Sequence, residues 1–484
     1  MRKNDLATDD HLYMQVADGL EKMIADDILK IGDKLPSVRV LSDEYGISMG
    51  TAFQAYYHLE GKGLIESRPK SGYYVRFNHK RFPEFPKMAP PDPVSHEISV
   101  KEMIASIYSD IASHDHKVIN FALAVPDPSL LPLAKLNKSV IHSLRHSKDS
   151  CSTYEHPQGN PELRKQIAKL SFNWGGKVKA DEVVVTSGCL EAITLCLRAV
   201  TKPGDTVAIE SPNYFGILQA VENMGLKVVE VSSCFIAGME LDCLEEVLKK
   251  YPVKAVITVP NFNNPLGGCM PDENKKKVVE LINRFNVPLI EDDIYGELYF
   301  GKNRPLTCKY YDTKGLVMHC SSVSKSLAPG YRIGWVIPGK FLEQVKQQKR
   351  MQNISSPTIT QVAIAHFLKN GRYEYHLKTM RKALHIQALR YVQAIIDYFP
   401  ADSKVSRPQG GFTLWVELNK KVNAFKLRTE AMKHQISIVP GKIFSPSCGY
   451  SNCIRISYGK PWDDDADYGL MMLGKMIKKM IDGR

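Results

Sequence analysis

Apolar residues recur at near-helical spacing from Leu12 to Leu29, with Val16, Leu20, Ile24 and Ile28 along one stripe, until GDKLPS breaks the period. The pattern predicts a second short helix over VRVLSDEY, with Ser37 as its N-cap and Gly46 as its stop. Ser48 caps a third, MGTAFQAYYHLEGKG, which ends at Gly61 or Gly63. Strand-like LIESR, a PKSG turn and strand-like YYVRF follow. Two helices joined by the turn YGIS and followed by a hairpin predict a winged helix-turn-helix over residues 1–77. Residues 78–98 are proline-rich and without period, which reads as a semi-rigid linker. From Ser99 to the end, apolar runs such as EVVVTSG, DTVAIESP, KAVITVPN, VPLIEDD and LVMHCSS alternate with amphipathic stretches of helical length. That alternation predicts βαβ units and a mostly parallel α/β sheet over about 135–340, and longer helices with a small α+β unit over about 341–484.

Charge changes this picture at the first domain. Through Gly61 there are six Lys/Arg against eleven Asp/Glu, a net of −5, whereas Lys62 to Phe82 hold six against one, a net of +5. A basic hairpin beside a helix-turn-helix points to double-stranded DNA. A helix starting at Ser48 can present its first turn, Met49, Gly50 and Thr51, to base edges, while its amides and the Ser48 hydroxyl meet phosphate. Arg39 can reach the backbone or a base, and Arg68 and Lys70 can sit against the flanking groove.

At 484 residues the chain is long enough for two or three domains. The sequence has no apolar run of bilayer length and no apolar signal core at its start, so a cytoplasmic protein is expected. Its ten cysteines are scattered without C-x-x-C pairs or zinc spacing, so neither a disulfide framework nor a metal site is expected.

In a parallel sheet, sites gather at the carboxyl ends of strands. There TSGCLEAI opens a helix with the amides of Gly188, Cys189 and Leu190, an anion-binding arrangement. SPNYFG places Tyr214 on a loop, NFNNPLGG holds Asn264 before a proline, and IEDDIYGEL sets three carboxylates in a row ahead of Tyr295. A buried carboxylate needs a cation, so at least one of the three should have a positive partner. SSVSKSLAPGYRIGW then surrounds Lys325 with four serines and adds Arg332. A lysine that condenses with an aldehyde, an aspartate for a pyridinium nitrogen, and serines with an arginine for a phosphate are the parts that pyridoxal 5′-phosphate requires.

Two resemblances follow from these motifs. GDKLPSVR and SMGT resemble the G-D-x-L-P-S-x-R turn and S-x-x-T helix start of the GntR-type winged helix, with Met49 where a basic residue is frequent. The segments after the linker resemble the fold type I aminotransferases. That likeness implies Lys325 as the Schiff-base lysine, Asp292 on the pyridine nitrogen, Tyr295 and Asn264 on the ring hydroxyl, and Tyr214 stacked on the ring. It implies Ser322, Ser324, Arg332 and the amides of Cys189 and Leu190 on the phosphate. It also implies that Tyr154, in YEHPQGNPELR, reaches the phosphate of a neighbouring subunit, hence a homodimer, and that Arg455, in CIRISY, grips a substrate carboxylate. The chain departs from the pattern at Cys189, where a hydroxyl is common, and at Ala124, where glycine is usual. Joined, the halves resemble the MocR-type transcription regulators, which implies a regulator sensing an amino compound; a working aminotransferase with an accessory winged helix remains the alternative.

Overall fold

In the computed structural model, which describes residues 9–26, 28–29, 33–68, 72–75, 84–86, 88, 118–147, 149–447 and 449–483, the chain divides into two units, Met1–Glu84 and Phe85–Arg484. Of the expected linker, only residues 84–86 and 88 are among those described, and Lys70 lies outside them.

The first unit runs α1 (Asp9–Ala25), α2 (Val38–Tyr45), α3 (Met49–Gly61), β1 (Ile65–Arg68) and β2 (Gly72–Val75). The Val40 amide donates to the Ser37 hydroxyl at 3.2 Å, and Gly46 ends α2 at φ +63°, a backbone conformation that glycine adopts without steric cost. Val16, Leu20 and Ile24 from α1 meet Leu41, Ala52, Ala55, Tyr56 and Leu59 in the buried core. The expected first helix is too long at its end. Beyond Ala25 the Ile28 and Leu29 amides both bond Met23 O, the backbone leaves the helical path, and Ile28 is 63% exposed.

The second unit contains β3 (Ile119–Asn120), β4 (Val184–Thr186), β5 (Thr206–Ser211), β6 (Lys227–Cys234), β7 (Gly238–Met239), β8 (Val253–Thr258), β9 (Leu289–Asp292), β10 (Val317–Ser322) and β11 (Gly334–Ile337). It continues with β12 (Lys404–Val405), β13 (Thr413–Glu417), β14 (Ile436–Ser437), β15 (Val439–Pro440) and β16 (Cys453–Ser457). The main sheet has the order β4-β11-β10-β9-β8-β5-β6-β7. Its centre, from β10 through β9, β8 and β5 to β6, is parallel. β11 runs antiparallel to β10 and β4. The parallel strands are almost wholly buried, as strands covered on both faces must be.

After the 27-residue helix Arg372–Tyr398, β12, β13, β16 and β15 form an antiparallel four-stranded sheet. β3 crosses to pair in parallel with β14, which brings the segment after Asn120 against β16. The Phe85 ring stacks on Phe235 at 5.4 Å, with the Arg407 guanidinium 4.6 Å from its centroid, and Met88 packs on the same core. This part of the proline-rich stretch is therefore docked rather than a free spacer, because two apolar side chains among the prolines find a surface to cover.

Candidate functional site

β9 and the residue that follows it deliver the three carboxylates, and none of them faces water: Glu291, Asp292 and Asp293 are all buried. Glu291 accepts from the Cys308 and Lys309 amides at 2.6 and 3.0 Å, with His319 Nδ1 at 3.3 Å. Asp293 accepts from Asn261 Nδ2 at 2.7 Å and pairs with Arg304, whose Nε also donates to Glu297 at 2.8 Å. Asp292 differs from both. Its Oδ1 accepts from Cys189 Sγ and the Ile294 amide, each at 3.1 Å, and it forms no ion pair among the described residues. Burial pushes its carboxyl up to about 6.

The turn after β10 carries Lys325, half-buried, whose Nζ donates to Ala124 O at 2.7 Å. Burial, and then the charges of Arg455 and Arg332, pull its amine down to about 8. The four serines divide by task. Ser321 donates to Asp293 O at 3.0 Å and Ser326 pairs with Tyr373 OH at 2.7 Å, so both hold the frame. Ser322 Oγ accepts from the Ser324 amide at 2.8 Å, and Ser324 Oγ accepts from Arg332 Nη1 at 3.3 Å. Arg332 Nη2 donates to Ser187 O, which brings the guanidinium to the start of the helix Cys189–Val200. Gly188 caps that helix at φ +93°, and a Cβ there would collide with the Arg332 guanidinium, so only glycine admits the approach. Serine hydroxyls, an arginine fork and helix-start amides thus meet at one place, as an anionic group requires.

Arg455, on β16, is buried, and its guanidinium has no carboxylate partner among the described residues. Nη1 donates to Asn264 Oδ1 at 3.2 Å, Nη2 donates to Ala122 O, and buried Nε has no partner. Burial lowers its pKa to about 10. Tyr295 and Tyr214 both act on its charge, and Asn264 Nδ2 donates to Tyr295 OH at 3.5 Å. The pocket therefore holds a buried acid without a cation, a buried cation without an acid, and a lysine whose charge both of them influence. A ring with a cationic nitrogen and an anionic tail, joined by a carboxylated ligand, fits this donor set.

Tyr154 stands apart from these groups, 85% exposed on the surface of its own chain. Sequence reasoning missed the carbonyls of Ala122 and Ala124 as partners of Arg455 and Lys325, since a main-chain acceptor leaves no mark in residue type. It also missed the thiol of Cys189 as a donor to Asp292.

In the first unit Ser48 is the N-cap of α3: its Oγ accepts from the Thr51 amide at 3.0 Å and lies 2.8 Å from Thr51 Oγ1. Thr51 corrects the sequence expectation. It is 5% exposed and its hydroxyl is committed to Ser48, so its side chain faces the core rather than base edges. Arg39 is exposed and in no ion pair among the described residues. Arg68 closes β1, its backbone opposite Gly72.

Comparison with known proteins places these two units. Residues 116–469 match the model for aminotransferase class I and II, and residues 12–75 match that for bacterial regulatory proteins of the gntR family. The uncharacterized HTH-type transcriptional regulator YdcR of Escherichia coli (strain K12) is 39% identical over 470 residues, 97% of this chain and 99% of that protein. The 2-aminoadipate transaminase of Thermus thermophilus is 29% identical over 368 residues, 75% of this chain and 91% of that one. Among solved structures, the α-aminoadipate aminotransferase LysN of Thermus thermophilus, complexed with N-(5′-phosphopyridoxyl)-L-leucine, superposes with a TM-score of 0.73 at 27% identity, covering 80% of this chain and 100% of that one. The chain belongs to the family of HTH-type transcriptional regulators that join a gntR-family winged helix to a class I and II aminotransferase domain, the MocR type.

Proposed function

We propose that this regulator binds DNA as a homodimer in the cytoplasm and senses an amino compound through a pocket loaded with pyridoxal 5′-phosphate. The observation that carries the reading is the pair of unmatched buried charges, Asp292 and Arg455, acting on Lys325 in a unit tethered to a winged helix. When bound, the cofactor supplies an aldehyde that condenses with amines and a ring that draws electrons from the attached carbon. Lys325 offers the amine, Asp292 keeps the ring nitrogen protonated, and Asn264 and Tyr295 hydrogen-bond the ring hydroxyl. Tyr214 stacks on the ring; Ser322, Ser324, Arg332 and the amides of Cys189 and Leu190 hold the phosphate; Arg455 takes the ligand's carboxylate. Tyr154, exposed on its own chain, reaches the phosphate in the partner subunit's pocket. Two winged helices then meet paired half-sites, with Arg39, Ser48, Arg68 and Lys70 against DNA.

Sensing follows from linkage. A ligand that binds one arrangement of the halves better than another shifts DNA affinity by the same coupling free energy. Titrating the purified protein with candidate amines while following both absorbance and operator affinity tests this; ligand binding that leaves operator affinity unmoved removes the sensor role.

Two outcomes are expected. Cofactor uptake requires the neutral amine, and with Lys325 near 8 about one molecule in ten is neutral at pH 7, against about one in three thousand for an ordinary lysine. The uptake rate of apo-protein should therefore rise about tenfold per unit from pH 6 and flatten above about 8; a rise continuing to pH 10 would contradict the lowered amine. Replacing both Arg68 and Lys70 with alanine, which removes four cations from the dimer, should weaken DNA binding and reduce the slope of log affinity against log salt by up to about 4. An unchanged slope puts the contact surface elsewhere.

Lys325, whose charge is influenced by an Arg455 guanidinium with no carboxylate partner among the described residues, is also suited to the proton transfer of transamination. Sustained turnover of amino acids with 2-oxoacids, without protection of any upstream DNA, would establish the enzyme reading in place of the regulator.

A further inference from the structure

Over its first two turns the outward face of α3 carries no charge. Met49, Phe53 and Tyr57, spaced four residues apart on one side, are 57, 52 and 58% exposed, and Gly50 and Gln54 are exposed between them. From Met49 to Tyr57 the helix has no acidic or basic residue. Its inner face, Thr51, Ala52, Ala55, Tyr56 and Leu59, is buried in the core, so these outward side chains are not there for the fold. The Gln54 amide makes no hydrogen bond among the described residues. A Cβ on Gly50 would meet only Ser48 Oγ, at 3.5 Å, so the first turn is slim enough for close approach to a surface.

A patch of this kind needs a partner with apolar groups and paired hydrogen-bonding edges, bordered by negative charge. On the protein side, exposed Arg39 near the start of α2 is in no ion pair among the described residues, and the sequence from Lys62 to Phe82 carries a net charge of +5. The major groove at A·T pairs offers these features together: the thymine 5-methyl group, and the N7 acceptor and N6 donor of adenine, which one carboxamide can bond in two-pronged fashion. Phosphate contacts fix register, and such groove contacts supply the sequence choice.

We infer that Met49 and Phe53 read thymine methyl groups and Gln54 reads an adjacent adenine, so that each half-site presents A·T pairs under the first two turns of α3. The inference rests on the regulator reading and adds its base specificity. It explains how a recognition helix without a basic first residue discriminates: backbone attraction comes from Arg39 and the hairpin, and choice comes from uncharged side chains.

The test uses the full-length, cofactor-loaded protein and duplexes selected from a random pool. The selected half-site is then remade with deoxyuridine for thymine, which removes the groove methyl and preserves base pairing. Wild-type protein should bind this DNA about three- to fourfold more weakly per contacted methyl, as expected for one buried carbon. Met49→Ala and Phe53→Ala should bind the thymine site more weakly and show little further loss on the uracil site, the signature of a shared contact. Gln54→Ala should accept other pairs at the adenine position. All three residues are exposed, and circular dichroism checks that the variants fold. Selected sites with G·C under α3, or wild-type binding indifferent to uracil, overturn the inference and leave the regulator intact; an outward face used for protein docking gives this second result. Failure to enrich any duplex overturns both.

Discussion

Lys325→Ala is expected to yield a protein with no yellow absorbance after incubation with pyridoxal 5′-phosphate and dialysis. The other pocket groups remain, so cofactor can still enter, but nothing holds it covalently and dialysis removes it. The fold should survive. Among the described residues Lys325 makes one hydrogen bond, to Ala124 O. Losing it costs about 1 kcal/mol, partly offset by relief of an amine that burial disfavours. A thermal midpoint within a few degrees of wild type, together with lost colour, separates the chemical role from a structural one. Retained colour in a folded variant rejects the assignment.

Arg455→Leu carries the second large effect. Its guanidinium is buried and has no carboxylate from the described residues, so it is placed to receive one from a ligand. Removing one side of a buried charge pair costs about 2–4 kcal/mol, roughly a 30- to 800-fold loss in affinity for an α-amino acid. Cofactor colour should persist, because Arg455 is not among the groups assigned to the ring or phosphate. An amine lacking a carboxylate should lose far less, and equal losses for both ligands would refute the carboxylate role. Calorimetry on the loaded protein measures each case.

Much of this site could be read from residue order because strand-end chemistry in a parallel sheet keeps side-chain identity. IEDD ends a run of apolar residues, and the end of β9 with the residue after it places the three acids in a row of buried positions. Three details could not be read. Which of the three acids pairs with an arginine depends on where the loop through Arg304 returns, and chain separation says nothing of that path. The inward turn of Thr51 follows from the phase of α3 against α1 and α2, where a short polar residue packs as well as an apolar one. Phe85 sits among prolines that advertise a spacer, yet a single stacked ring is enough to dock the segment. Local pattern gives elements and their ends; it is silent on long-range partners that carry no periodicity.

The mismatch between Asp292 and Arg455 has an effect on the lifetime of the protein. Each is a cost to the fold that a bound partner relieves, the cofactor at Asp292 and a carboxylated ligand at Arg455, and cofactor that binds only the folded chain raises unfolding free energy by RT ln(1 + [L]/Kd), about 2.7 kcal/mol at a hundredfold excess. Vitamin-starved molecules would populate unfolded forms up to about a hundredfold more often and meet proteases in proportion. The cell's supply of vitamin B6 would thus set how many copies persist, before any signal reaches a promoter.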